Sequence, residues 1–82
     1  MFKNKVSGSN NICGEIIYDL RKKKGKDFSQ RKLADLMQLE GIDLDKNAIQ
    51  RIEDGKRFVI DIELVALAKI FGVSVDYLLG LK

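Results

Sequence analysis

The pattern of apolar and polar residues along the chain predicts five helices and no strands. In each predicted segment the apolar side chains recur at the three- and four-residue spacing of one helical face. Serine or aspartate stands where several of these helices would begin, and glycine stands where they would end. The predicted helices cover about residues 11–24, 29–39, 46–54, 61–71 and 75–79. We therefore expect an all-α fold with a single core.

The third predicted helix is short and has two different faces. Asp45 is expected to cap its first turn and Gly55 to end it. A helix this short is unstable alone, so its apolar residues Ile49 and Ile52 have to pack against neighbouring helices. Its other face carries side-chain types that hydrogen-bond base edges in a DNA major groove, namely Lys46, Asn47, Gln50 and Arg51. An ordinary solvent-facing helix has the same pattern, and alone that interpretation is the stronger one.

The fourth predicted helix is apolar on most sides, which predicts a position at the centre of the core. Its apolar residues are Ile62, Val65, Ala66, Leu67, Ala68, Ile70 and Phe71. In the connection at residues 40–44, Ile42 and Leu44 are expected to point inward. Cys13 is expected to be a small buried apolar residue.

Length and composition predict one globular domain. The chain has 82 residues, of which 45% are hydrophobic and 33% charged. It has no apolar run near the roughly 20 residues of a membrane span and no secretory signal, so we expect a cytoplasmic protein. A single cysteine allows no internal disulfide, and the lack of histidine disfavours a zinc site. With no nucleophile beside a base and no phosphate-binding loop, we expect neither an enzyme nor a cofactor.

The positive charge is concentrated in the first part of the chain. Residues 1–32 hold nine Lys or Arg against three acidic residues, a net +6, whereas the remainder holds six against nine, a net −3. A basic half on a small domain suits a polyanionic partner. Residues 1–10 are predicted to be a flexible basic arm, either solvated or touching phosphate, and residues 11–82 the folded domain. The cationic run 21–24 suits a helix end, a phosphate contact or both.

Several short segments occur in an order and spacing that resemble one family. They are Ile16 to Leu20-Arg21, Lys24-Gly25, Ser29-Gln30, Leu33-Ala34, Ile49, Arg51-Ile52-Glu53, Gly55-Lys56-Arg57, Leu67-Ala68-Lys69, Phe71-Gly72-Val73-Ser74 and Tyr77-Leu78-Leu79. Over about residues 11–80 the chain resembles Cro/C1-type (XRE-like) helix-turn-helix DNA-binding proteins. The resemblance implies a five-helix lambda-repressor-like domain in which helices two and three form the helix-turn-helix and helix three enters the major groove.

The resemblance has two departures. The stretch between Ala34 and Ile49 is about five residues longer than a helix-turn-helix with its usual turn of roughly three to four residues would need. We expect helix two to gain a turn and the remaining extra residues to lengthen the loop, which leaves open the angle between the two helices and with it the assignment of base contacts. Lys32 stands where the family often has an acidic capping-box residue, which adds positive charge at the DNA-facing side.

The resemblance also implies a function and a set of site residues. The function is that of a transcriptional regulator, a repressor, which binds double-stranded DNA as a homodimer on a palindromic site and has no small-molecule ligand domain. Base contacts are assigned to Lys46, Asn47 and Gln50, with Arg51 replacing Lys46 if helix three is rotated. Phosphate contacts are assigned to Gln30, Lys32, Lys56 and Arg57, with Gln30 also able to brace helix three.

Two structural expectations complete this assignment. The resemblance implies a partly buried ion pair between Arg21 and Glu53, which would tie helix one to helix three. The dimer contact is expected at the apolar C-terminal end, at Val75, Tyr77, Leu79 and Leu81, with Leu78 closing the core of the monomer. The alternative function is a protein-interaction module, such as an antitoxin-like partner, built on the same fold.

Overall fold

A computed structural model describes residues 8–81 and contains five α-helices and no strand within that range. The helices are α1 (Gly14–Lys23), α2 (Gln30–Leu39), α3 (Lys46–Glu53), α4 (Asp61–Phe71) and α5 (Val75–Leu78). The prediction of an all-α domain with five helices is confirmed. Among residues 8–81, no helix combines the length and the apolar character needed to traverse a bilayer.

The starts of three helices are fixed by local capping bonds, as the sequence predicts. The Ser29 hydroxyl accepts the Lys32 amide at 3.0 Å, and the Ser74 hydroxyl accepts the Tyr77 amide at 3.0 Å. The Asp45 carboxylate accepts a hydrogen bond of 2.8 Å from the Ala48 amide. Each bond satisfies one of the amides that a first helical turn leaves without a partner. These caps set where α2, α3 and α5 begin.

The start of α1 differs from the prediction, because Asn11 is an anchor outside the helix. Its Oδ1 accepts the Gly14 amide at 2.8 Å, and its Nδ2 donates to the carbonyl oxygens of Ile52 and Arg57 at 3.0 and 2.8 Å. A Cβ at residue 14 would overlap the Ile52 carbonyl oxygen, so Gly14 allows α1 to approach the end of α3 closely. The helix therefore begins at Gly14 and not at residue 11.

The folded domain begins earlier than the predicted boundary between residues 10 and 11. The Asn10 amide donates to the Gly55 carbonyl at 2.7 Å, and Asn10 Nδ2 donates to the Lys56 carbonyl at 2.9 Å. The Ser9 hydroxyl also donates to the Gly55 carbonyl, at 3.2 Å. Hydrogen bonding to the rest of the domain thus extends to Ser9. The remainder of the predicted arm, residues 1–7, lies outside the described residues.

All five helices and the α2–α3 connection contribute large side chains to the core. Fully buried residues include Ile17, Leu33, Met37, Ile49, Ile52, Leu67 and Leu78. In the connection, Leu44 is buried and Ile42 packs partly buried against the core, which confirms that both point inward. The connection spans residues 40–45, longer than a three- to four-residue turn. Its bend is made at Gly41, whose φ of 84° lies in the left-handed region that favours glycine.

Cys13 is buried next to the start of α1, with 1% of its surface exposed. Burial raises the pKa of its thiol to about 11, and the negative charge of Glu63 adds to the increase. The thiol is therefore neutral at physiological pH and acts as a small apolar side chain, as expected from the sequence.

The prediction that α4 is enclosed by the core is only partly correct. Leu67 and Phe71 are buried, but Ile62 and Val65 are 57% and 60% exposed. The two exposed residues lie three positions apart and so share one side of the helix. The four other helices are short and cover only part of its circumference. One apolar side of α4 consequently faces solvent.

Candidate nucleic-acid interface

The two faces of α3 have opposite environments. Ile49 and Ile52 are each 1% exposed and anchor the helix in the core. The four residues predicted to contact bases are all exposed on the other side, namely Lys46, Asn47, Gln50 and Arg51. The structure therefore brings these side chains together on one solvent-facing surface. Two amides, a primary amine and a guanidinium are available there for hydrogen bonding to a partner.

Glu53 fixes the end of α3 against α1 through Arg21. Arg21 Nε donates to Glu53 Oε2 at 2.7 Å, and Arg21 Nη2 donates to Oε1 at 3.1 Å. The two side chains are 9% and 2% exposed, so the ion pair implied by the resemblance is present and almost fully buried. The hydrogen bond to Glu53 raises the pKa of Arg21 above its ordinary value, although burial acts in the opposite direction. Arg21 Nη1 also donates to the Phe28 carbonyl, at 3.1 Å.

Gln30, at the first position of α2, contacts the same carboxylate. Its Nε2 donates to Glu53 Oε1 at 3.0 Å, so Glu53 joins α3 to both α1 and α2. Gln30 thus braces α3, one of the two roles considered for it from the sequence. A carboxylate with three donors in a buried position holds its helix in one orientation, because rotation would leave charged groups unpaired.

A basic groove lies beside the exposed face of α3. It is formed by the end of α1, the loop that follows it, the start of α2 and the first residue of α3. The residues lining this basic groove are Arg21, Lys22, Lys26, Ser29, Gln30, Arg31 and Lys46. None of them is acidic, and Lys22, Lys26, Arg31 and Lys46 are exposed. The groove includes the N-terminal end of α2, where amides and helix dipole favour an anion.

Lys26 and Arg31 were not predicted as site residues, and Lys22 was considered only as part of the cationic run 21–24, which suits a helix end, a phosphate contact or both. In the sequence, these residues are indicated only by the density of positive charge at residues 21–32, which also suits a helix C-terminus. Only the packing of α1 and α2 against α3 places these cations around the same groove as Lys46. Sequence spacing alone does not show this, because the groove is assembled from three separate helices.

The predicted phosphate-contacting residues have different surroundings. Lys32 and Lys56 are exposed. Arg57 is engaged within the chain: its Nη1 and Nη2 donate to the two oxygens of Glu63 at 2.9 and 3.2 Å. Arg57 Nη1 also donates to the Phe58 carbonyl at 3.0 Å, and 31% of the arginine side chain is exposed. These bonds use three of the five N–H donors of a guanidinium, which leaves two for another partner.

The residues predicted to form a dimer contact are less exposed than expected. Leu78 is fully buried, in agreement with its assignment to the core of the monomer. Val75 and Leu79 are half-buried, and only Tyr77 and Leu81 are exposed, at 38% and 66%. The C-terminal end thus offers a smaller apolar surface than its sequence suggests.

No protein-family model matches the chain, and neither the curated proteins nor the solved structures give a significant match. The function is therefore inferred from the arrangement of residues 8–81 and from the resemblance in sequence. Within that range no cluster of three or more His, Cys, Asp or Glu side chains is suited to bind a metal ion.

Proposed function

We propose that this chain binds double-stranded DNA sequence-specifically through α3 and regulates transcription, acting as a repressor by occupying its site. The observation that carries the proposal is the exposed polar face of α3 on a helix whose other face is locked into the core. The buried contacts of Glu53 hold this face in a fixed orientation. A rigidly held helix positions its side chains for base recognition better than a mobile loop does.

In this proposal α2 and α3 form the helix-turn-helix, and α3 lies in the major groove. Asn47 and Gln50 hydrogen-bond adenine at N6 and N7, whereas Lys46 donates to O6 and N7 of guanine. All three lie in the first five residues of α3, the end of a recognition helix that contacts base edges. The connection before α3 has six residues, more than the usual turn of roughly three to four, and Arg51 contacts a base in place of Lys46 if this length rotates α3.

The basic groove and the neighbouring lysines hold the DNA backbone. The start of α2 supplies backbone amides and the side chain of Gln30, and Lys32 and Lys56 supply charge. Arg57 contributes through the donors that Glu63 and Phe58 leave available. Each neutralised phosphate releases bound counterions, so the affinity falls linearly with salt on logarithmic axes.

The DNA-bound form is a homodimer on a palindromic site. One copy of α3 has eight residues and covers only a few base pairs, too few for selectivity in a genome. Two copies related by a two-fold axis contact half-sites one helical turn apart, roughly 34 Å. The two-fold symmetry of the protein is then matched by the palindrome.

The alternative is a protein-interaction module, and the exposed apolar side of α4 favours it. Selection of bound sequences from a random duplex library separates the two hypotheses. We expect enrichment of a palindrome and a log-linear loss of affinity with salt. Asn47→Ala and Gln50→Ala should change the enriched sequence, whereas Leu39→Ala, at an exposed residue that ends α2, should not. Absence of any enriched sequence would overturn the proposal.

A further inference from the structure

The solvent-facing side of α4 forms a shallow, mainly apolar groove, called here the α4 face. It is lined by Glu40, Ile42, Asp61, Ile62, Val65, Ala66 and Lys69. None of these residues belongs to α3 or to the basic groove. Ile62 and Val65 are more than half exposed, although an exposed position on a surface helix is usually polar. An exposed apolar patch with a polar rim is typical of a protein contact.

Along α4, the face is complementary to itself in charge. Residues 62, 65, 66 and 69 follow the spacing of one helical side, so they form a stripe along α4. Asp61 lies at one end of this stripe and Lys69 at the other, with the small residue Ala66 near the middle. Two such stripes placed antiparallel bring each Asp61 beside the opposite Lys69. A parallel placement would instead bring like charges together.

We propose that the α4 face binds a second copy of this chain, with the two α4 helices antiparallel across a two-fold axis. The need for two copies rests on the proposed function, whereas the choice of surface rests on α4 alone. Val65 lies at the crossing point, beside the buried Ala66, whose small side chain leaves room for the two helices to approach closely. Ile62 of each copy packs against the α4 stripe of the other copy. The interface is isologous, because both copies contribute the same surface.

The charged ends of the α4 face are available for this contact. Lys69 Nζ lies 3.1 Å from Glu40 Oε1, but the lysine side chain is 71% exposed. Its ammonium has three donors and therefore binds Asp61 of the second copy while keeping Glu40. Asp61 is exposed, and one of its oxygens accepts the Ile62 amide at 2.7 Å, leaving the other oxygen for the second copy.

The contact is small, because only two large apolar side chains per copy are exposed in it. It is smaller than a stable, standard-sized interface. We therefore expect weak dimerisation without DNA, with a dissociation constant of about 10 μM or higher, and stronger association when two half-sites hold the copies together.

Sedimentation equilibrium of the full chain without DNA, at concentrations up to about 1 mM, tests the proposal. We expect the wild type to dimerise and Val65→Glu to remain monomeric. The matched control is Leu81→Glu, which places the same charge at an exposed residue outside the α4 face and should leave dimerisation unchanged. A far-UV melting curve confirms that each variant is folded. A monomeric wild type, or a dimer that is lost with Leu81→Glu and kept with Val65→Glu, would overturn the proposal.

A charge exchange tests the antiparallel arrangement. Asp61→Lys and Lys69→Asp should each weaken self-association by roughly tenfold, because like charges then meet twice. An equimolar mixture of the two variants should regain the wild-type dissociation constant, since both opposite-charge contacts form again in the mixed dimer. A mixture no stronger than either variant alone would overturn this arrangement.

DNA binding is measured separately on the same variants. Val65→Glu should keep its preference for a single half-site and lose the extra affinity for the palindrome. If Val65→Glu abolishes dimerisation but leaves half-site binding intact, the α4 face is identified as the dimer interface. Asn47→Ala should still dimerise, so a failure of DNA binding is distinguishable from a failure of the α4 contact.

Discussion

Arg21 and Glu53 lie 32 positions apart in sequence, and their side chains meet in two hydrogen bonds of 2.7 and 3.1 Å. The pair connects α1 to α3 and is shielded from solvent on nearly all sides. Removing one partner leaves the other charge buried and unpaired, in a position where water solvates it poorly. The energetic cost of breaking such a pair is therefore larger than the net contribution of the intact pair.

We expect Glu53→Ala to lower the free energy of unfolding by roughly 3 kcal/mol. The substitution leaves the Arg21 guanidinium without its carboxylate partner, and it removes the acceptor of the hydrogen bond from Gln30 Nε2. Urea denaturation followed by circular dichroism measures the change. The matched control is Asp54→Ala, at the exposed carboxylate next in sequence, which should change the free energy by less than about 0.5 kcal/mol. Equal effects of the two substitutions would contradict a structural role for the buried pair.

Base-contacting and phosphate-contacting residues should give different mutant signatures. Asn47→Ala or Gln50→Ala should cost about 1–3 kcal/mol on the preferred site and relax selectivity at one or two positions. Lys56→Ala should weaken binding to all sequences similarly and reduce the salt slope by about one unit. Fluorescence anisotropy on the preferred and a scrambled duplex, at several salt concentrations, distinguishes the two. Unchanged base preferences in the Asn47 and Gln50 variants, with altered preferences for Lys56→Ala, would reverse the assignment.

Arg57 should affect stability as well as DNA affinity. Glu63 is 4% exposed and loses two hydrogen bonds when Arg57 is truncated. We expect Arg57→Ala to destabilise the fold by about 2 kcal/mol, because a buried carboxylate is left underpaired. On DNA it should also reduce the salt slope by about one unit. The neighbouring Lys56→Ala provides the control: it should reduce the slope at an unchanged melting temperature, and a fall in melting temperature of the same size would argue against the Glu63 contact.

Cys13 should make stability depend on alkaline pH. The folded chain keeps the thiol protonated up to about pH 11, whereas the ordinary value in an unfolded chain is 9.0. Stability from this group is therefore complete below pH 9 and lost between about pH 9 and 11, by roughly 2–3 kcal/mol. Denaturation curves at several pH values should show a steeper loss for wild type than for Cys13→Ala. Parallel pH profiles for the two proteins would exclude this contribution.

The features that could be predicted from the sequence are those determined by neighbouring residues. Ser29, Asp45 and Ser74 cap the helices for which they were proposed, because a capping bond spans only three residues. The bounds of α4 were also predicted, since Gly72 ends it in the left-handed conformation at φ 68°. The exposed positions on α3 follow from the same local periodicity, once Ile49 and Ile52 are assigned to the core.

The features that were missed depend on contacts between distant segments. The side-chain amide of Asn11 donates to partners 41 and 46 positions away, and no local pattern indicates that α1 would begin only at Gly14. The pairing of Arg57 with Glu63 forms across an irregular link, where neither helical nor strand periodicity applies. The exposed side of α4 was missed because periodicity shows which sides are apolar but not how many neighbours cover them.

The contacts of Ser9, Asn10 and Asn11 also constrain the order in which the chain folds. Their hydrogen bonds to the carbonyls at residues 52–57 close a loop that contains α1, α2 and α3. Closing a loop of this length has an entropic cost that grows only with the logarithm of its length, but both ends must be present. During synthesis, residues 9–11 leave the ribosome well before residue 57. They form their native hydrogen bonds only after α3 has been synthesised. The end of α3 is therefore held by residues that were synthesised long before it.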